Sequence, residues 1–249
     1  MRGTSGLLTR HGVILAVAAV AASAAGSGAA LALTTSAPSH VVSMSTAGRT
    51  SAALKITAGT PVLEVSVGKL GGTLLRVSTP DDAPVRPVLS GSRLIVLSLT
   101  GAAQGPGSED SGYAVKVVLN SAVTWSLDLA GGTQRTEADL RGGKVGGIAV
   151  TAGSDVLDVS LPKPAGTLPF LLAAGASQFL LSLPGGVPAQ VTVGGGASFV
   201  SVDDQNLTGV AGGTVLTPPG WATATSRFDI DATSGFSRLT VSRWYPAAS

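Results

Sequence analysis

The sequence predicts an all-β protein: a β-solenoid of short strands turned at Gly-rich corners, preceded by one N-terminal apolar helix. Short alternations of apolar and polar residues recur between Gly, Pro and Asp, as in Val62-Leu-Glu-Val-Ser-Val67, Leu94-Ile-Val-Leu-Ser-Leu99, Val123-Thr-Trp-Ser-Leu-Asp-Leu129 and Arg238-Leu-Thr-Val-Ser242. A period of two turns one face of a strand inward and the other outward. A unit of strand, small-residue corner and second strand also repeats. Ile56–Val67 and Val150–Leu161 share seven identities in twelve positions, and looser copies stand at Val88–Leu99, Leu172–Leu183, Val193–Val202 and Ile230–Val241. Corner glycines at 132, 153, 175 and 196 step by 21, 22 and 21 residues, the spacing of a solenoid coil.

A coil of that length supplies two or three short strands that cannot bury their apolar faces alone, so coils must stack. Glycine at each corner is expected to permit backbone angles that a Cβ forbids, while neighbouring Ser, Thr and Ala let successive coils approach. The pattern leaves one alternative open, an antiparallel β-sandwich with Gly-rich turns. Both Tyr and all three Trp lie at or after Tyr113, and Trp244-Tyr245 is placed where the last coil would need its open end covered.

In chain order, residues 1–11 carry Arg2 and Arg10 and read as a basic cytoplasmic tail or signal n-region. Residues 12–33 contain no charge and would span roughly 33 Å as a helix, enough to cross a hydrocarbon core of about 30 Å. They are a transmembrane helix or the apolar part of a signal peptide, cut after Ala24 or Ala32. In either case the positive-inside rule keeps the tail in the cytoplasm and sends the body outside. Residues 34–50, rich in Ser, Thr and Ala, read as a linker, and 51–245 as the extracytoplasmic β-solenoid domain.

This arrangement, ending in Arg227-Phe-Asp-Ile-Asp-Ala-Thr-Ser-Gly-Phe-Ser-Arg-Leu-Thr-Val241 behind an N-terminal membrane segment, resembles the bacterial putative-adhesin β-solenoid domains, relatives of the toast-rack-like domains of envelope-stress proteins. The resemblance covers roughly residues 50–243 and looks actinobacterial in its Ala/Gly-rich composition. It implies a β-solenoid on the outer side of a membrane and brings no catalytic residues with it.

Composition narrows the chemistry. The chain has no Cys, and its two histidines, His11 and His40, precede the body, so a thiolate or imidazole nucleophile system cannot be built there and zinc lacks its usual ligands. Charge narrows the partners. The net charge of +2 comes from Arg2 and Arg10; the 14 remaining basic residues balance 14 acidic ones and form no run, so no nucleic-acid footprint exists. No cofactor or metal is expected. Asp203-Asp204-Gln205-Asn206 is the densest oxygen cluster and reads as a turn between strands. Asp110-Ser111-Gly112 spells half of an aspartic-protease site within a Gly-rich loop, with no second copy to complete the dyad.

Four residues stand out as partner contacts: Trp221, on the rigid Pro218-Pro-Gly-Trp221 loop, and the mixed-charge group Asp139, Arg141 and Lys144. The favoured function is a non-enzymatic, membrane-anchored envelope module, structural or adhesin-like, meeting an envelope protein or a glycan. A sensory ectodomain of an envelope-stress system is the alternative, one needing a membrane partner because the tail of eleven residues is too short to bind a sigma factor or carry a kinase. A secreted polysaccharide-active enzyme centred on Asp139 would need Asp139 and its basic neighbours to line one open groove. Anchoring predicts that the protein is recovered in the membrane fraction with an N-terminal sequence that includes Arg2 and Arg10. A soluble product beginning at Ala25 or Leu33 would contradict it.

Overall fold

Alternation of inward apolar and outward polar residues yields strands along nearly all of the chain that the computed structural model describes, residues 39–101 and 112–246. In order they are β1 (Val41–Ser45), β2 (Ser51–Ile56), β3 (Thr60–Gly68), β4 (Thr73–Ser78), β5 (Val85–Ser90), β6 (Leu94–Gly101), β7 (Ala114–Asn120), β8 (Thr124–Leu129), β9 (Thr133–Asp139) and β10 (Lys144–Val150). There follow β11 (Ser154–Ser160), β12 (Thr167–Leu172), β13 (Ala176–Pro184), β14 (Ala189–Val193), β15 (Ala197–Val202), β16 (Gln205–Val210), β17 (Thr214–Leu216), β18 (Arg227–Ala232) and β19 (Phe236–Trp244), with one 3-10 turn at Trp221–Thr223. The helix expected over 12–33 lies outside the described residues, as do Asp110 and Ser111. Among the described residues no helix is long and apolar enough to cross a membrane. The segment read as a linker contains β1, which pairs antiparallel with β4, so the body begins ten residues earlier than its sequence suggested.

The strands form two sheets, in the orders β1-β4-β7-β3-β9-β11-β13-β19-β15-β16 and β17-β14-β18-β12-β10-β8-β2-β6-β5. Read in opposite directions, the two orders correspond strand for strand except for the edge strand β1, which has no counterpart. Each solenoid coil gives one strand to the second sheet, turns a corner and gives the next strand to the first sheet. Coils 1 to 7 are β2–β3, β6–β7, β8–β9, β10–β11, β12–β13, β14–β15 and β18–β19. Neighbouring coils pair in parallel in both sheets. Their spatial order is not their chain order: coil 1 lies inside coil 2, and coil 7 is inserted between coils 5 and 6. The first and last coils are therefore interior.

Register converts the repeat into a core. In the first sheet Val115, Leu63, Thr136, Leu157, Phe179, Leu239 and Val200 occupy one inward column across seven strands. In the second, Leu54, Leu127, Ile148, Phe170, Ile230 and Val191 do the same. The columns face each other, and the rings of Phe170 and Phe179 stack at 5.1 Å. The one polar member, Thr136, is buried and bonded at 2.8 Å to Thr133, which donates at 2.9 Å to Ser154. Pro169 sits in an interior strand of the second sheet. It is accommodated because β10 bulges at Gly146 and pairs with β12 only from Ile148 onward, so no ladder bond is asked of its missing N–H.

Three expectations are corrected. The unit at Val88–Leu99 is the antiparallel hairpin β5–β6, turned at Gly91 with φ +81°, and not a coil corner. Trp244-Tyr245 does not cover an open coil, because coil 7 is internal. The ends are covered instead by antiparallel strands, β1, β4 and β5 beyond coil 2 and β16 and β17 beyond coil 6, which block further parallel stacking. Of the four corner glycines Gly196, at φ +84°, adopts the backbone angle expected of it, and the other three act differently. Thr60, Thr133 and Ser154 donate backbone bonds to the carbonyls of Gly132, Gly153 and Gly175, so the corners stack as a continuous ladder. None of those three glycines has a positive φ, and a Cβ on Gly132 would meet only Gly153 O at 3.8 Å. The steric demand falls one residue earlier, where a Cβ on Gly131 would lie 2.0 Å from Ala58 O.

Gly131→Ala is therefore expected to destabilise by about 1–3 kcal/mol, the scale of forced overpacking, whereas Gly132→Ala shifts stability by less than about 1 kcal/mol, in the favourable direction if any. Urea unfolding of the two variants checks the contrast; equal losses would refute the assignment. Leu239→Ala, in the centre of the inserted coil, is expected to cost about 2–5 kcal/mol in one cooperative transition. A separate early transition in its denaturation curve would show that coil 7 is only peripherally attached.

Candidate functional site

The residues singled out in the sequence fall at two places. Asp139 ends β9, and its carboxylate accepts from Arg141 Nε at 2.9 Å, Nη2 at 2.7 Å and the backbone N–H at 3.2 Å. The Arg141 side-chain bond holds the Asp139 carboxyl below its usual range. Lys144 is exposed at the first position of β10, across the turn and in the other sheet. The group closes on itself as an exposed ion pair at a coil return. It resembles two other pairs on the same sheet, Lys116 with Glu64 at 3.3 Å and Arg135 with Glu137. Among the described residues no three His, Asp or Glu side chains converge as metal ligands.

Trp221 turns back onto the body. Its indole N–H donates to Phe228 O at 2.7 Å, and the Arg227 guanidinium lies 4.6 Å from its ring centroid while donating to the carbonyls of Trp221 and Ala222 at 3.2 and 2.7 Å. Arg227 Nε donates in turn to Thr167 at 2.8 Å. Through this stack Trp221 fixes the loop from Pro218 to Ala224 against coils 5 and 7.

That loop is one wall of a cleft of about 780 Å³ at the coil-6 end of the body, formed with the β13–β14 connection, the β15–β16 turn and the end of β19. The cleft exists because of strand length. β19 pairs with β13 as far as Trp244 but with β15 only as far as Val241, so Ser242–Trp244 run past the end of β15 uncovered on that side. Asp203, at φ +52°, turns the chain from β15 into β16 and brings its carboxylate over the uncovered stretch. Arg243 clamps it, with Nε on Oδ1 at 2.6 Å and Nη2 on Oδ2 at 2.8 Å, and its remaining nitrogen Nη1 donates to Val187 O at 2.8 Å. The Arg243 side chain is 16% exposed and that of Asp203 40%. The bidentate bond holds the Asp203 carboxyl below its ordinary value. Asp204 is exposed beside it, and Tyr245 stands at the rim, 74% exposed.

The oxygen cluster at 203–206 and the Pro218–Trp221 loop thus meet in one place, although the sequence suggested no relation between them. Arg243, Ser242 and Tyr245 were missed as site residues. Arg243 reaches Asp203 across 40 positions only because coil 7 inserts beside coil 6, and no repeat spacing signals that insertion. Asp139, at the end of β9, lies three strands from β19 along the first sheet, roughly 14 Å at ordinary strand spacing, and neither it nor Arg141 nor Lys144 lines the cleft.

No family model matches the chain, and no curated protein matches it. Among solved structures, the crystal structure of "a putative cell adhesion protein from Clostridium sporogenes ATCC 15579" is similar at a TM-score of 0.58 and 14% sequence identity, covering 82% of this chain and 100% of that one. The likeness establishes a shared fold.

The clamp generates a pH prediction. A carboxyl held below its unfolded value of about 3.9 contributes stability that is fully present above that value and is lost as the pH falls through the depressed one. Asp203→Asn is therefore expected to lower stability at pH 7 by about 1 kcal/mol or less, the scale of partly exposed pairs, and the gap from the native protein should close below about pH 3.9. Thermal unfolding at pH 7 and pH 2.5 checks this; a gap of the same size at both would show that the carboxylate charge contributes nothing.

Proposed function

We propose that this chain is a non-enzymatic, adhesin-like envelope module, held at a membrane by residues 12–33 with its body on the outer side, and that the cleft around Arg243 is its contact surface. One observation carries the reading: the cleft and the entry of the chain into the body lie at opposite ends of the stack. Entry is through β1, the first strand of a ten-stranded sheet, and the cleft is built at β15, β16 and β19, near the other edge. Nine inter-strand steps separate the two edges, roughly 43 Å at ordinary spacing. A tether upstream of residue 39 attaches at one end and leaves the cleft at the other, as a presented contact site requires. The covered ends support the same reading, since both terminal coils carry antiparallel strands and the stack works as a finite spacer.

Cells displaying the full chain are expected to retain isolated envelope material, and Tyr245→Ala, which removes a side chain outside the core, should reduce that retention at least several-fold. The body should remain accessible to a membrane-impermeant label in intact cells. Retention unchanged by Tyr245→Ala, or a body protected from the label, would contradict the proposal.

A further inference from the structure

We propose that the cleft takes a neutral saccharide, stacked on Tyr245, an assignment that rests on the cleft being the contact surface. Tyr245 is exposed, and its ring rests on the body. A Cβ placed on Gly185 would lie 2.0 Å from its Cε1 and 2.5 Å from its Cζ, so one part of the ring lies directly on the Gly185 backbone. The two segments are tied there: Gly185 N–H donates to Trp244 O at 2.8 Å, and the Trp244 indole donates to Leu161 O at 3.0 Å. An aromatic ring resting on a peptide, with most of its surface open, is a stacking platform. It offers stacking area to an apolar face. Any side chain at position 185 would displace it, which gives that glycine a function no turn geometry demands, since its φ is not positive.

Beside the platform Asp203 is an acceptor fixed in place. Three of the five Arg243 N–H groups are engaged by Asp203 and Val187, so the Arg orients the carboxylate and leaves it the lone pairs the clamp does not use. Asp204 adds a second carboxylate. A pyranose matches this set, with an apolar C–H face for the ring and hydroxyl donors at its perimeter for carboxylate oxygens. The sign of the charge selects further. Asp203 and Asp204 against Arg243 leave the cleft at −1, which repels uronates and phosphate-bearing polymers while admitting neutral sugars. A cationic peptide is the competing occupant that this charge would admit.

The test is titration of the purified full chain in detergent with cellohexaose, chitohexaose and mannohexaose, with hexagalacturonate and hexalysine alongside. At least one neutral hexasaccharide should bind saturably. Tyr245→Ala should weaken it tenfold or more, and Tyr245→Trp should retain it. Hexagalacturonate and hexalysine should show no Tyr245-dependent binding. Failure of all three neutral probes, binding that survives Tyr245→Ala, or Tyr245-dependent binding of hexalysine would each overturn the assignment. Envelope retention that depends on Tyr245 but resists competition by every neutral probe removes the saccharide and leaves the contact-surface reading standing. Tyr245-dependent saccharide binding without envelope retention does the reverse.

Discussion

In-register parallel stacking of coils is the constraint from which the rest of the molecule follows. A two-strand coil has an apolar stripe on each strand and nothing of its own to bury it against. Only a neighbour in the same register, and a facing sheet from the same coils, removes those stripes from water. The columns through Leu157, Phe179 and Leu239 and through Ile148, Phe170 and Ile230 realise this. A slip of one residue between any two coils would send a whole column to the outside. The corner ladder of Gly132, Gly153 and Gly175 reinforces the register, because carbonyls at the corner continue the hydrogen bonding of the sheets without interruption.

Stacking alone would give an open-ended rod that frays from its terminal coils. This chain departs from that by placing its first and last coils inside the stack. Coil 1 is flanked by coils 2 and 3, and coil 7 by coils 5 and 6, so neither the first nor the last coil is at an end of the pile, although the chain enters at one edge through β1. The terminal positions fall to coils 2 and 6, and these carry the antiparallel strands that finish the sheets. The insertion of coil 7 has a second consequence. It brings Arg243, Trp244 and Tyr245, distant in sequence from the β15–β16 turn, to the uncovered margin where the cleft forms. Stability and site thus depend on the same departure from chain order.

Much of this was legible in the residues. Strand alternation, the repeat of Ile56–Val67 in Val150–Leu161 and the glycine spacing all reflect local geometry and the identical environment of successive coils, and each found its counterpart in the structure. Pairing order was not legible, because a coil's apolar stripe fits any other coil; Leu239 beside Phe179 reads no differently from Val200 beside Phe179. The hairpin at Val88–Leu99 misled for the same reason, since its composition matches a corner and only its strand direction differs. Of the site, Trp221 and Asp203-Asp204 drew attention through local chemistry. Tyr245 carried no such signal, its importance lying in contact with Gly185, 60 residues earlier.

The central claim is that coil 7, though last in the chain, is as deeply held as coil 4 in the middle of the stack. Native-state hydrogen exchange of the backbone amides of Leu239, Thr240 and Val241, compared with Leu157, Asp158 and Val159, measures this directly. The account predicts that both sets exchange only by global unfolding, with the same free energy and the same denaturant dependence. Exchange of the coil-7 amides through a separate opening of lower free energy, while coil 4 stays protected, would contradict it.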